Sequence, residues 1–216
     1  MTWWSTSDRA DPAPTDLEHL LDRVADDLAD RFTGTFDHET VLELVIECYE
    51  MLAIQARVST HLVALAHHFA KDRLLAIATV EGLRPRTAPQ VLFVCVHNAG
   101  RSQMAAALLR HHADGRVGVR SAGSAPTGLL DPGCVSVLQE VGIGLAQAFP
   151  KPLTDDVVRA ADVVVTMGCG ETCPVFPGRR YLDWDVADPA DQPLSVVRSI
   201  RDDLDTRVRA LLVDLS

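Results

Sequence analysis

Cys95, Asn98, Arg101 and Ser102 stand within eight residues of one another in "VCVHNAGRS", with Arg101 six positions after Cys95. A thiol nucleophile, a forked cation and a hydroxyl so close in sequence suit chemistry on a tetrahedral oxyanion, because the guanidinium matches two of its oxygens. The segment must turn from an apolar run, "VLFVCV" (91–96), into a helix-like run, "SQMAAALLRHHA" (102–113). The backbone N–H groups of Val96, His97, Asn98, Ala99, Gly100 and Arg101 then converge at a helix N-terminus, where an anion is favoured. Helix dipole, amide nest and guanidinium all favour Cys95 as thiolate.

Such a loop needs a strand before it and a helix after it, and the chain supplies both in a repeating pattern. From Gln90 onward it reads strand, helix, strand, helix: "VLFVCV", then 102–113 helical, "GVRSAG" a strand, "PGCVSVLQEVG" helical, "ADVVVTM" (161–167) and "RRYLDW" strands, and 193–213 a closing helix. Strands apolar on both faces that alternate with helices predict an α/β fold, a four-stranded parallel sheet with helices on both faces. Ligands of such sheets bind at the carboxyl ends of the strands, which is where Cys95 falls.

The first part of the chain has a different period. "DLEHLLDRVADDLADRF" (16–32) repeats apolar residues at three and four, with Thr15 and Glu18 at capping-box spacing. A second helix is expected from Glu39 to Val58, with Asp37 or His38 at its entrance, and a third from Thr60 to Val80. The expected organisation is a flexible tail at 1–14 holding Trp3 and Trp4, an all-α three-helix domain at 15–82, a Pro- and Gly-containing linker at 83–89, and the α/β domain at 90–216. The helical unit could seal one face of the sheet, dimerise or bind a partner, and the chain is read as a monomer or homodimer.

Composition excludes several classes. The 216 residues are 47% hydrophobic and 23% charged, which fits an ordinary globular chain. No run approaches the roughly 18 to 20 apolar residues of a membrane span, and the N-terminus lacks the pattern of a signal peptide, so no membrane partner and a cytoplasmic location are expected. Residues 1–89 carry 8 basic against 15 acidic side chains and residues 90–216 carry 12 against 15, for a net charge of −10. That balance disfavours nucleic acid and requires any anion site to be local. Five cysteines at irregular spacing do not read as a disulfide framework.

"VLFVCVHNAGRSQMAAALL" resembles the signature of low-molecular-weight protein tyrosine phosphatases and of the arsenate reductases built on that fold. The likeness continues through "SAG" (121–123), "ADVVVTM" and the Asp188-Pro189 pair, over about residues 90–213. Some actinobacterial-type arsenate reductases are similar to this chain in carrying a helical N-terminal extension. The resemblance implies Cys95 as nucleophile, Arg101 as oxyanion clamp, Ser102 as a thiolate-stabilising hydroxyl, Asn98 as the side chain that holds the loop, and Asp188, rather than Asp185, as the carboxyl that assists proton transfer. The chain departs from the family pattern at His97, where glycine is usual, at Ala99 and Gly100, and at Ala106, where some reductases place an acidic side chain that helps hold a cation.

"TMGCGETCP" (166–174) bears on which activity is implied. Reducing arsenate takes two electrons, and thiols within reach of the nucleophile can supply them as a disulfide. Cys169 and Cys173 are expected on the same rim as Cys95. The implied order is a Cys95–arsenate adduct, attack by Cys169 with release of arsenite, and a Cys169–Cys173 disulfide left at the surface for an external dithiol. Thioredoxin is the implied partner, with mycothiol as the alternative reductant and no bound cofactor. The alternative activity is that of a phosphatase, with Cys169 and Cys173 as a redox safety catch; residual phosphatase activity is compatible with a reductase too. Family phosphatases grip a ring with aromatics around the cleft, and aromatics make up only 5% of this chain. A third reading makes the helical unit a binding or sensory module with redox input from the second domain.

Blander roles attach to the rest. No second Cys or His pair stands at zinc-finger spacing from Cys169 and Cys173, so no metal site is expected. Cys48 and Cys134 read as small buried residues. His67, His68, His111 and His112 are adjacent pairs on helices and point in different directions. Trp184 is expected at the core edge.

Overall fold

The structure of the protein, a computed structural model, describes residues 14–54, 61–169 and 173–215. Three helices come first, α1 (Pro14–Arg31), α2 (His38–Ala53) and α3 (Leu62–Val80). α1 starts at Pro14, so Thr15 lies inside its first turn rather than at its cap; a proline is tolerated there because the first-turn N–H groups lack helical partners in any case. Asp37 caps α2, its carboxylate accepting from the Thr40 N–H at 2.8 Å. The expected end of α2 at Val58 and start of α3 at Thr60 lie outside the described residues, as do Trp3 and Trp4.

The remainder runs β1 (Gln90–Cys95), α4 (Arg101–Ala113), β2 (Gly118–Gly123), α5 (Pro132–Gln139), α6 (Asp155–Ala160), β3 (Val163–Met167), β4 (Arg180–Asp183) and α7 (Leu194–Asp214). The four strands form one parallel sheet in the order β2-β1-β3-β4. β1 is therefore central, and Cys95 at its end pairs in register with Gly123 on one side and Met167 on the other. α5 stops short of the expected Gly142, whose φ of +76° takes the chain out of helical geometry. α6 is an element that periodicity could not reveal, since six residues hold fewer than two turns. No helix among the described residues is long and apolar enough to cross a membrane.

Alternation along the strands sends side chains to two cores. Val91, Phe93 and Cys95 of β1 and Val163, Val165 and Met167 of β3 pack beneath α4, α5 and α7. Trp184 lies at the edge of this core, its ring centroid 5.8 Å from that of Phe93. Leu92, Val94 and Val164 point to the other face, where they meet Ala76 of α3 and Val157 and Val158 of α6. The helical unit thus covers the sheet's second face. Small residues make the close approach possible: Ala66, Ala70, Ala76 and Ala78 are all fully buried, so α3 packs on two sides at once. Phe149, from the α/β part, packs in turn among α1–α3.

Arg73 bolts these layers together. It is 8% exposed on α3 and forms ion pairs with Glu47 of α2 at 3.0 Å and Asp156 of α6 at 2.9 Å. Burial opposes its charge, but the two carboxylates outweigh that cost and hold its pKa above the ordinary arginine value. Its guanidinium also lies 3.7 Å from the buried Cys48 sulfur, whose pKa burial pushes up to about 12. That thiol is inert.

Candidate active site

The loop between β1 and α4 is fixed from outside by its carbonyls. The carbonyls of Cys95, Val96, His97 and Ala99 accept from the N–H groups of Ser124, Ala125, Thr127 and Asp131 at 2.8–3.2 Å, and that of Gly100 accepts from Met104 at 2.9 Å. With carbonyls spent outward, the amide side of the loop turns inward, and the Asn98 N–H donates to Cys95 Sγ at 3.2 Å. The turn costs one left-handed residue, which is Asn98 at φ +49° and not His97. Asparagine tolerates that conformation better than a bulkier side chain would.

Asn98 is fully buried and bonded at every polar atom. Its Nδ2 donates to Ser102 Oγ at 2.8 Å, while its Oδ1 accepts from Gln103 Nε2 at 3.0 Å and from the Lys151 N–H at 2.8 Å. Those two donors fix which way the amide faces. Ser102 Oγ lies 3.0 Å from Cys95 Sγ. Because Asn98 already donates to that oxygen, the hydroxyl proton is free to point at the sulfur, so Cys95 faces two donors.

Gln103 belongs to the same set, and motif reading passed over it. Its Nε2 donates to Asn98 O, Asn98 Oδ1 and Phe149 O at 2.9–3.1 Å, and the residue is buried. The available signal was a polar side chain at a core position in an alanine-rich helix start. Ala106 lies fully buried in the core between α4 and the sheet.

Two glycines let backbone close around the loop. A Cβ on Gly100 would stand 2.8 Å from Pro189 Cγ and 3.2 Å from Cys134 Sγ, so glycine here admits the Asp188-Pro189 turn. A Cβ on Gly123, the last residue of "SAG", would stand 2.7 Å from Val96 O. The approach brings Asp188 to Arg101: Nη2 donates to Asp188 Oδ2 at 2.8 Å, and Asp188 Oδ1 accepts from Ala190 N–H at 3.1 Å. Cys95, His97, Arg101, Asp131 and Asp188 line one cleft. Asp185 does not join it; its carbonyl accepts from Arg207. The cleft has a volume of ≈ 40 Å³, about three times the roughly 10–15 Å³ that one water needs. A small tetrahedral anion suits that space.

Cys169 and Cys173 follow β3, on the same rim as Cys95 by register, but they are not at the surface. They are 5% and 9% exposed and pack with Leu92 and Val94 on the sheet face opposite Cys95. The pair expected to end as a surface disulfide is thus buried as thiols: strict alternation past Met167 would return Cys169 to the first core, but the left-handed Gly168 (φ +72°) breaks it and both side chains enter the second core. Cys173 donates a hydrogen bond to Cys169, which lowers the Cys169 pKa to about 7 and raises that of Cys173. Cys134 is fully buried and, like Cys48, held well above the thiol range by burial. The paired histidines lie ring edge to ring face, and His67 bonds Asp27 across the bundle at 3.0 Å. Among the described residues no three His, Cys, Asp or Glu side chains converge as a metal site.

Comparison with known proteins places this geometry. The solved structure of a thioredoxin-dependent arsenate reductase from Corynebacterium glutamicum is 48% identical, with a TM-score of 0.82 over 91% of this chain and 96% of that one. A glutaredoxin arsenate reductase from Synechocystis is 31% identical over 130 residues, 59% of this chain and 98% of its own. An arginine phosphatase from Geobacillus stearothermophilus is 30% identical, with a TM-score of 0.52 over 59% of this chain and 92% of its own. The model of the N-terminal domain of protein-tyrosine-phosphatase-like proteins matches residues 21–78. Residues 90–216 match the low molecular weight phosphotyrosine protein phosphatase model, and with well over half its length so matched the chain belongs to that family.

Proposed function

We propose that this protein reduces arsenate to arsenite through a thiol relay, in arsenic detoxification. We take residues 15–82 as a three-helix domain sealing the sheet of the reductase domain at 90–216 across a linker at 83–89. The observation that carries the reading is an anion loop on Cys95 beside a second, mutually hydrogen-bonded thiol pair at the end of the neighbouring strand. Hydrolysis of a phosphate ester uses no stored electrons, whereas removing an oxygen from arsenate uses two.

In the proposed sequence the loop amides and Arg101 hold the oxyanion, and the Cys95 thiolate attacks arsenic. One oxygen departs as water, with Asp188 delivering a proton to it. Cys169, as thiolate, then attacks Cys95 Sγ. A sulfur–sulfur bond forms, the sulfur–arsenic bond breaks, and its electron pair stays on arsenic, which leaves as arsenite. Cys173 attacks Cys169, which forms the Cys169–Cys173 disulfide and returns Cys95 as thiolate. A thioredoxin dithiol takes up the oxidation in a final exchange. The lowered pKa of Cys169 suits it to attack at neutral pH, and the raised pKa of Cys173 suits it to act after that bond is lost. Because Cys95 and Cys169 pack on opposite faces of the sheet, the second step requires Cys169 to leave its core and round the end of β3. The 48% identity to a thioredoxin-dependent reductase supports thioredoxin as reductant.

The test is NADPH oxidation by the full chain with thioredoxin and thioredoxin reductase, with and without arsenate. Arsenate-dependent oxidation that is lost in Cys95→Ser is the expected result. A flat trace restored by mycothiol and its reductase would replace the partner but keep the activity. Flat traces with both, together with hydrolysis of p-nitrophenyl phosphate, would overturn the reductase reading in favour of a phosphatase.

A further inference from the structure

Behind the anion loop, α3, α4 and the chain between Gly142 and Lys151 line a half-open cavity of ≈ 690 Å³. That is within the roughly 300–1,000 Å³ of small-molecule sites. It is separate from the catalytic cleft, with no lining residue in common. Ile143, Leu145 and Phe149 give it an apolar wall, and Arg110 and Lys151 give it a basic one, beside the imidazoles of His111 and of His68, whose pKa burial lowers. Asp72 is the one carboxylate lining it, and it is already engaged by Lys151 Nζ at 3.1 Å. Arg110, which lines the cavity, has no carboxylate within ion-pair distance among the described residues; its Nη2 donates to the Val119 carbonyl, and a guanidinium has further N–H donors to offer a ligand. A side recess that shares Asp72 and Lys151 adds Arg120 and the Ser121 hydroxyl, which is 3% exposed and has no hydrogen-bond partner. A basic wall with one spent acid, facing an apolar wall, is the complement of an organic anion.

We propose that this cavity binds a small organic anion, an apolar body carrying a carboxylate, phosphate or sulfonate that Arg110 holds, and that its occupancy is felt at the anion loop. The route is short. Phe149 lines the cavity and its carbonyl accepts from Gln103; Lys151 lines it and its N–H donates to Asn98 Oδ1. Asn98 and Gln103 are the residues that hold Ser102 and the Cys95 loop. A ligand that shifts or stiffens residues 142–151 therefore acts on the positioning of the nucleophile without touching it. Because α3 supplies His68 and Asp72, the site exists only where the helical unit is docked on the sheet.

The test uses two fluorescent probes of the same shape, 8-anilinonaphthalene-1-sulfonate and the uncharged N-phenyl-1-naphthylamine, titrated into the full-length protein. Both are too large for the catalytic cleft. Saturable binding of the sulfonate at least tenfold tighter than the neutral amine is expected. Arg110→Ala should abolish that preference while leaving the amine's affinity unchanged, which also reports that the cavity is intact; Arg110→Lys should restore most of it. Equal affinity for the two probes in the unsubstituted protein would overturn the proposal, as would a sulfonate preference that survives both Arg110→Ala and His111→Glu. None of these readouts depends on arsenate, so failure of the reductase reading and failure of this one are distinguishable.

Discussion

The Ser102 hydroxyl lies 3.0 Å from Cys95 Sγ and accepts a hydrogen bond from Asn98 Nδ2 at 2.8 Å, which leaves its own proton free for a Cys95 thiolate. Ser102→Ala removes that donor and leaves Asn98 Nδ2 without its acceptor. A hydrogen bond to a charged group contributes about 1.5–3 kcal/mol, which corresponds to a loss of roughly 10- to 100-fold in reactivity. Alkylation of Cys95 by iodoacetamide at neutral pH should slow by that factor, in a background where the other four cysteines are replaced. An unchanged rate would show that the hydroxyl does not serve the thiolate.

Gln103 should behave as a positioning residue. Gln103→Ala strips a donor from Phe149 O and Asn98 O, two buried acceptors, for a cost of about 1–3 kcal/mol. Urea unfolding should register that loss. The kinetic signature separates a loosened loop from a merely weaker fold: kcat should fall several-fold more than KM rises, measured well below the unfolding transition.

The parallel sheet, the order of its elements and the position of Cys95 at a strand end were legible because apolar runs, a helix start and a Cys, Arg, Ser spacing coincide in one stretch of chain. Other features were not, and for definite reasons. Gln103 acts through contacts with Phe149, 46 residues away, which no local pattern encodes. α6 is too short to show a period. The burial of Cys169 and Cys173 depends on which face the chain takes after β3, and a single residue of slip reverses that choice. That α3 docks on the sheet stayed one alternative among three because its alanines read as ordinary helix formers, although Ala76 belongs to the sheet's own core.

Arg73 provides the test of that docking. Arg73→Ala leaves the mostly buried Asp156 carboxylate unpaired, and breaking a buried pair from one side costs about 3–5 kcal/mol. The loss should appear in urea unfolding followed by a probe in each part of the chain. Arg73→Met fills much of the same space, but on its own it also leaves Asp156 without a partner. The double change Arg73→Met with Asp156→Leu should therefore recover most of the stability, which separates the charge from the packing.

The thiol pair gives the proposed relay a pH dependence of definite sign. Cys169 is held at about 7 by the hydrogen bond from Cys173, and only its thiolate attacks. Its thiolate fraction therefore rises about tenfold between pH 6 and pH 8, and the rate of the Cys95–Cys169 bond should rise with it in single-turnover experiments. Cys173→Ala removes the donor. The inflection should then move upward toward the ordinary thiol range, with rate lost at pH 7 and recovered at higher pH. An inflection unmoved by Cys173→Ala would detach Cys173 from the activation of Cys169.

Asp188 is paired with the cation proposed to hold the anion, and this yields a split between binding and turnover. In Asp188→Asn the Arg101 Nη2 keeps a neutral acceptor in place of a carboxylate and so competes less for its charge. Arsenate should bind as well as before or better, with KM unchanged or lowered. The same change removes the group proposed to protonate the departing oxygen, a contribution of about 10²–10⁴ in rate. Steady-state kinetics should thus show kcat down by at least about 10² without a rise in KM. If the two parameters moved the other way, with KM raised and kcat kept, Asp188 would be an anchor for the Arg101 side chain and the proton would come from solvent. Asp188→Glu settles which, because it keeps the acid but lengthens the arm: a proton donor should be partly restored, whereas an anchor set by the 2.8 Å contact to Arg101 should not.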